Sequence, residues 1–369
     1  VIAVLTRKPM TKTLTTKLRF GWTTGTCATA AVNAAYTALV TGAFPKRVTI
    51  VTPIGKNADL EVAFSDVGEA WAQAGIIKDA GDDPDVTHGA MICAKVCVGD
   101  AGSGVTFWRG DGVGLVTKAG LPIAVGEPAI NPVPRQMMAA MVAELAQKLA
   151  GPKDVTIEIS VPNGAVIAEK TWNPRLGIEG GISILGTSGI VRPFSCAAWI
   201  ASIHRGVDVA RANGLMHVIG STGNMSEVAA KARYDVPDIA LMDMGDFVGG
   251  LLKYMRRHPV AKLTIAGGFA KMVKLSQGAV DLHSARSQVD FEMLAELAAP
   301  LGFDADAVRR ANSVLEVVDL AGPEARHALA TAIAEAAQAA AYKILREAPV
   351  TIEIMVVGRD GTCWGIAGR

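Results

Sequence analysis

Residues 19–31 read RFGWTTGTCATAA. The hydroxyls of Thr23, Thr24 and Thr26 lie around Gly25, and an alanine-dominated run follows at once, from Ala28 to Leu39. A polar, bendable loop that opens onto a helix suits an anion. The first turn of a helix carries unpaired backbone N–H groups and the positive end of the dipole, and glycine lets the backbone come close. Lys17 and Arg19 add charge just upstream. In this reading Thr23, Thr24 and Thr26 face a substrate cleft; in the plainer one they cap a surface helix. Cys27, beside them, reads as a small packed residue and not as a nucleophile.

A second dense spot is DAGDDPDVTHG, residues 79–89, where Asp79, Asp82, Asp83, Asp85 and His88 crowd one loop. Three chemistries compete. Closely spaced carboxylates offer oxygen ligands to a divalent cation, although the spacing of a calcium loop is not matched. The loop also reads as a solvated acidic turn. Or a carboxylate and an imidazole, Asp83 and His88, serve proton transfer.

The second half carries small polar residues wherever an apolar strand ends: Gly186, Thr187, Ser188 and Gly189; Gly220, Thr222, Gly223 and Asn224; Asp243 and Asp246; then Gly267-Gly268. In an open parallel sheet ligands bind beyond the carboxyl ends of the strands, so converging loops of this kind predict a small-molecule site. Neither GxGxxG nor a P-loop is present. An adenosyl cofactor fits, with Asp243 or Asp246 on its ribose hydroxyls; the alternative role for either Asp is a helix N-cap. For an acidic substrate the cations are Arg109, Arg135, Arg175, Arg192, Lys271 and Lys274, most beside Gly or Pro in irregular segments. A loop Arg offers a fork that matches a carboxylate. His283, in DLHSAR, has polar company, whereas His204, His217, His258 and His327 sit in helical or strand patterns.

These residues need elements to hold them. Hydrophobic periodicity predicts a helix over 24–40, a hairpin of 48–51 and 60–64, and strands near 70–77, 90–98, 105–108 and 113–117. Segment 122–135 is too rich in Pro for regular structure and feeds a helix over 136–149; strands at 155–161 and 165–170 follow. The second half then repeats strand, glycine loop and helix four times, beginning at 182–185, 216–219, 239–242 and 263–266. Helices near 289–299, 304–311 and 322–346 and a strand at 350–357 complete it. The expected fold is two domains: an N-terminal mixed and antiparallel α+β domain, 18–178, and a C-terminal doubly wound, Rossmann-like α/β domain, 179–369. Residues 1–17 read as a basic tail, with Met10 an alternative start.

Composition agrees. The chain has 369 residues, half of them hydrophobic, with 39 Gly and a formal net charge of +1. That length predicts more than one core, and the near-neutral charge gives no reason to expect nucleic acid or a membrane surface as partner. Five widely spaced cysteines do not make a disulfide framework and point to a reducing cytoplasm. No structural zinc site is expected, because Cys93 and Cys97 lack a second ligand pair. No apolar run reaches membrane-spanning length.

The blocks GWTTGTCATAA, KDAGDDPDVTHGA, INPVPR, GTSGIVRP, STGN, GDFVGGLLK and GGFAKMVKLSQGAVDLHS together resemble the CbiD family of anaerobic cobalamin biosynthesis, in that family's order and over roughly residues 18–290. One departure is Gly268, where the family often has His. The resemblance implies transfer of a methyl group from S-adenosylmethionine to ring carbon C(1) of a cobalt-containing tetrapyrrole, cobalt-precorrin-5B, giving cobalt-precorrin-6A. The cobalt would travel with the substrate. Under this reading Gly186–Gly189, Gly220–Asn224 and Asp243 hold the cofactor. Thr23, Thr24, Thr26, Arg135, Arg192, Lys271 and His283 hold the substrate carboxylates, and a homodimer is an admissible assembly. Two other functions stay open: a nicotinamide-dependent oxidoreductase acting on an acidic substrate, and a corrinoid-binding protein without catalysis.

Overall fold

The computed structural model describes residues 18–368; the basic tail and Met10 lie outside the described residues. A short strand β1 (Gly21–Trp22) leads into helix α1 (Thr24–Thr41). A hairpin follows, β2 (Arg47–Val51) with β3 (Asn57–Glu61), then β4 (Phe64–Val67), β5 (Trp71–Ile77), β6 (Met91–Val98) and β7 (Val105–Arg109). After the two-residue β8 (Leu115–Val116) come α2 (Pro132–Leu149), β9 (Val155–Ser160) and α3 (Gly164–Ala168). The larger sheet of this half runs β4-β5-β6-β9-β7, antiparallel except for the parallel β7–β9 pair. Its strands alternate as a half-buried strand must: Val155, Ile157 and Ile159 are fully buried while Thr156, Glu158 and Ser160 are half-exposed.

Helix α1 packs against α2 on one side and β5 and β6 on the other. Its many alanines allow that approach, and a helix that is apolar nearly all round belongs inside. It stops at Gly42, whose φ of 76° closes the last turn through an N–H bond to the Ala38 carbonyl.

The second half follows two more short strands, β10 (Ile178–Glu179) and β11 (Ile190–Val191). Its elements are α4 (Cys196–Ala212), β12 (His217–Ser221), α5 (Asn224–Arg233), β13 (Leu241–Asp243), α6 (Val248–Met255), β14 (Lys262–Gly268) and α7 (Phe269–Ser276). Helices α8 (Phe291–Ala298), α9 (Ala305–Arg310), α10 (Val314–Asp319) and α11 (Pro323–Leu345) precede β15 (Thr351–Val357) and β16 (Cys363–Ala367). The sheet order is β13-β12-β14-β15-β16, parallel but for β16. The chain therefore leaves β12 toward one edge and leaves β14 toward the other. That reversal opens a crevice at the carboxyl ends of β12 and β14.

Two large apolar cores form, one around Tyr36, Ile92 and Ile157 and one around Val218, Ile265 and Leu329. Each fully buried large side chain stabilises by roughly 1.5–3 kcal/mol. Two smaller clusters add to these: one around Ile219 and Met355, and one of Val116, Ala129, Leu176 and Ile178 against Val209 of α4, which joins the halves.

Four expectations change. Segment 182–185 does not open the parallel sheet: Ile182 and Ile184 are buried in the first core and make isolated bridges to Val113 and Ile130, so three strand–loop–helix units remain. Residues 165–170 are helical at Gly164–Ala168, because Gly164 lies so close to the Gly112 carbonyl that a Cβ would sit 2.2 Å from it and the chain must turn there. The helix expected from 136 begins at Pro132, since proline in a first turn forfeits an N–H that has no intrahelical partner anyway. Strand β16 was not expected; a turn at Gly358–Gly361 folds it back on β15.

Candidate active site

At the crevice, Ser221 stands in register with Asp243 on one side and Ala266 on the other. The Thr222 N–H continues the ladder to the Ala266 carbonyl at 3.0 Å. Strand periodicity puts Ser221 and Asp243 on the same face as Ile219 and Leu241, which pack beneath α5 with Ala230. Ser221 is 1% exposed, and its hydroxyl has no hydrogen-bond partner among the described residues. A buried polar group without a partner is costly.

Helix α5 starts directly above, and neither it nor α7 has a side-chain cap on its first turn. Their cap residues are Gly223 and Gly268. Around Gly223 a Cβ would meet nothing within 4 Å, and at Gly268 only the Val357 carbonyl at 4.0 Å. The backbone is extended at both, so the fold itself does not require glycine at either place. Gly220, expected among the ligand-binding residues, has a different role: a Cβ there would sit 2.6 Å from Leu251, so it is a packing glycine under the crevice floor.

Charged groups rim this opening. Burial pushes the Asp243 carboxyl above the usual carboxylate range, with Glu227 adding to the rise while Arg175 opposes it. Arg175 holds Glu227 through two bonds of 2.7 Å. Lys271 donates to the Thr222 carbonyl at 2.7 Å and lies 3.1 Å from the Asp246 carboxylate, bridging the loops after β12 and β13. Trp199 of α4 closes one side, its indole N–H bonded to the Asp243 carbonyl at 3.0 Å. Thus Thr222, Gly223, Asn224 and Asp243 lie together at this opening, and Lys271, expected among the substrate-binding residues, lies with them. Ser221 lies within the expected Gly220–Asn224 loop, whereas Trp199 and Glu227 were not anticipated. Glu227 in the first turn after STGN was a local signal; Trp199 had none.

Gly186, Thr187, Ser188 and Gly189 do not join them. A Cβ on Gly186 would sit 2.4 Å from Thr23, and one on Gly189 2.7 Å from Thr52; the Ser188 hydroxyl bonds the Ile190 carbonyl. This loop covers the start of α1. Thr23, Thr24 and Thr26, expected to face a cleft, are 5%, 3% and 0% exposed. The Thr23 and Gly25 N–H groups donate to the carbonyls of Gly189 and Leu185, and the Thr26 N–H to the Thr23 hydroxyl. The Thr26 hydroxyl donates to the Gly189 carbonyl at 2.8 Å, and that of Thr24 accepts from the Leu185 N–H at 2.9 Å. With the Cys27 N–H on the Thr23 carbonyl, four N–H groups of this helix start are engaged by the chain itself, and the buried threonines do not face a cleft. Burial pushes the Cys27 thiol up to about 12, in keeping with packing and not attack.

The acidic loop is a set of stitches. Asp79 takes a two-pronged bond from Arg19, Asp82 accepts the Arg19 N–H at 2.6 Å, and Asp85 pairs with Lys78 at 2.5 Å. Asp83 accepts the backbone N–H of Phe194 at 2.8 Å. His88 Nδ1 accepts the Ala80 N–H at 3.1 Å, which leaves the proton of a neutral ring on Nε2. Asp83 and His88 therefore serve different partners and are not arranged as an acid–base couple. Among the described residues no cluster of three or more His, Cys, Asp or Glu is placed for a metal ion.

Of the other cations, Arg135 is engaged by its own chain. It donates to the carbonyls of Ile130 and Pro128 and to Glu127, so it braces the start of α2 instead of awaiting a substrate. Arg109 donates to the Val113 carbonyl, and buried Lys274 to the Leu282 carbonyl. Arg192 is exposed and lies over the Phe20 ring, 6.0 Å from its centroid. His283 is exposed, its Nδ1 accepting the Ala285 N–H.

Comparison with known proteins supplies the remaining finding. The CbiD family matches residues 11–193, and the CbiD C-terminal domain matches residues 281–368. A cobalt-precorrin-5B C(1)-methyltransferase of Brucella anthropi is 56% identical over 348 residues, 94% of each chain. One of Brucella suis biovar 1 is 55% identical over 356 residues, again 94% of each. A crystal structure of cobalamin biosynthesis protein (cbiD) from Archaeoglobus fulgidus shares 28% identity over 73% of this chain and 83% of that one, with a TM-score of 0.40.

Proposed function

The chain belongs to the CbiD family, and from that premise we propose that it is a cobalt-precorrin-5B C(1)-methyltransferase of cobalamin biosynthesis with S-adenosylmethionine as methyl donor. The donor lies in the crevice of the second, Rossmann-like half, and the tetrapyrrole lies across the seam with the first half. The observation that carries this is the buried, partnerless Ser221 hydroxyl at the end of β12, beneath Gly223, a glycine with extended backbone and open space around it at the uncapped start of α5.

When bound, the donor supplies a sulfonium methyl, a strong electrophile. The chain's own work is to bind, orient and keep water out. The uncapped first turns of α5 and α7 offer backbone N–H groups. Asp243 offers a carboxylate to ribose hydroxyls, and Ser221 a hydroxyl to whatever polar group reaches the floor. Lys271 fixes the two loops relative to each other. Trp199 shields the rim next to Asp243. The substrate carbon is the nucleophile, so no covalent enzyme intermediate is required, and the cobalt arrives within the substrate.

Gly223→Ala tests this directly. An added Cβ meets no atom within 4 Å there, so the variant should lose only the few tenths to about 1 kcal/mol that alanine costs at a helix N-cap. It should weaken S-adenosylhomocysteine binding by calorimetry by about tenfold or more, the equivalent of about 1.4 kcal/mol. Unchanged affinity would remove the crevice as donor site. Binding of NADH in place of S-adenosylhomocysteine would favour an oxidoreductase. Pigment binding without a gain in mass on incubation with S-adenosylmethionine would favour a carrier.

A further inference from the structure

Between β11 and α4 the chain runs Arg192-Pro193-Phe194-Ser195 into Cys196. Phe194 has φ of +56° and is 66% exposed. Each property is ordinary alone; together in one aromatic residue they are not. A Cβ in the left-handed region is disfavoured, more so with a bulky side chain, and nothing in an outward-facing ring repays that cost in the chain by itself. The conformation is nevertheless held from both sides. Pro193 restricts the approach, and the Asp83 carboxylate accepts the Phe194 N–H at 2.8 Å. Strain that the surroundings over-determine is characteristic of ligand-contacting positions.

The location narrows the ligand. The segment leaves β11, which pairs with β1 of the first half, and ends on α4. There Trp199, 44% exposed, bonds the Asp243 carbonyl beside the donor crevice. Cations flank it: exposed Arg192 over Phe20, and Arg286, whose guanidinium lies 3.1 Å from the Cys196 sulfur. Exposed aromatic faces rimmed by guanidinium groups suit a flat, largely apolar ring that carries carboxylates on its edge.

Resting on the methyltransferase reading above, we infer that residues 192–199 form an aromatic strap on which the tetrapyrrole lies, with Phe194 as a substrate-positioning residue, Trp199 beside it and Arg192 meeting a peripheral carboxylate. Asp83 acts through Phe194 by fixing its backbone and does not touch the substrate.

The test is Phe194→Gly in the full chain, titrated with cobalt-precorrin-5B and separately with S-adenosylhomocysteine. Glycine accepts the left-handed backbone without strain, so the melting temperature should not fall. Tetrapyrrole affinity should fall about tenfold, the size of one lost aromatic stacking contact, with donor-site affinity unchanged. Phe194→Trp should restore tetrapyrrole binding. Should the glycine variant fold poorly, Phe194→Asn, which also tolerates this backbone, repeats the measurement. Unchanged tetrapyrrole affinity in the glycine or asparagine variant overturns the strap. A parent protein that binds S-adenosylhomocysteine but no tetrapyrrole overturns the functional reading itself, a distinct result.

Discussion

Arg175 and Glu227 meet through two parallel bonds of 2.7 Å, and this pair ties the loop before β10 to the first turn of α5. Both side chains are largely withdrawn from water, at 33% and 15% exposed. A two-pronged, charge-assisted pair is among the stronger polar contacts a protein makes. Its further effect falls on Asp243, where Glu227 raises the carboxyl and Arg175 lowers it.

Arg175→Ala should therefore act twice. It leaves Glu227 without its partner at the mouth of the crevice and moves the Asp243 carboxyl further up. We expect S-adenosylhomocysteine binding to weaken by about tenfold and stability to drop by about 1.5–3 kcal/mol, the contribution of hydrogen bonds to charged groups. Arg175→Lys should recover part of the affinity, since the charge returns without the fork. Calorimetry and urea unfolding on both variants decide; unchanged donor affinity in Arg175→Ala would detach this pair from the site.

Lys271 crosses the same opening, joining the Thr222 carbonyl to the Asp246 carboxylate. Lys271→Met keeps the length of the stem and removes the bridge. The loops after β12 and β13 then lose their common tie, and the KM for the donor should rise several-fold, about 1 kcal/mol in binding. The KM for the tetrapyrrole should change less. Steady-state kinetics with each substrate varied separately reads the difference, and an effect confined to the tetrapyrrole would place Lys271 on the other ligand.

The crevice was legible in the sequence because its parts are local: an apolar strand, then Ser-Thr-Gly-Asn or Gly-Gly, then a helix. The switch in strand order was not, since pairing partners are set by packing at long range. GTSG at 186–189 shows the limit. It has the same local pattern, yet Ile182 and Ile184 are drawn into the first core, and the loop closes over Thr23 and Thr26. Likewise WTTG reads as an anion site until the carbonyls of Leu185 and Gly189, more than a hundred residues away in the chain, are found on its N–H groups. The acidic loop misled for the same reason: its partners Arg19 and Phe194 are distant in sequence.

That reading of the first helix predicts stability effects without kinetic ones. Thr26→Val removes the hydroxyl that donates to Gly189 at 2.8 Å and leaves the shape. The Gly189 carbonyl keeps the Thr23 N–H, so the cost should be about 0.5–1.5 kcal/mol, the net contribution of one hydrogen bond, read as a lower urea midpoint with unchanged m. KM values for both substrates should hold. A raised tetrapyrrole KM at full stability would return these threonines to the binding surface.

The last prediction concerns acid. Lys78 is 1% exposed and pairs with Asp85 at 2.5 Å. Burial pushes the Asp85 carboxyl up, but the Lys78 charge and the Thr87 hydroxyl and N–H outweigh it and hold the group below its ordinary value. The folded protein thus binds this proton less readily than the unfolded chain, whose Asp titrates near about 3.9. The stabilisation from the pair is complete above that value and is lost as pH falls through the lower, folded one. Asp85→Asn strands a buried ammonium, so it should cost on the order of 3–5 kcal/mol at neutral pH. The variant lacks the titrating carboxylate, so its deficit against the parent should shrink as pH drops below about 4. Urea unfolding of both proteins at neutral pH and in acid tests this. A deficit that stays constant across that range would mean that the Lys78–Asp85 charges are not what holds the acidic loop to β5.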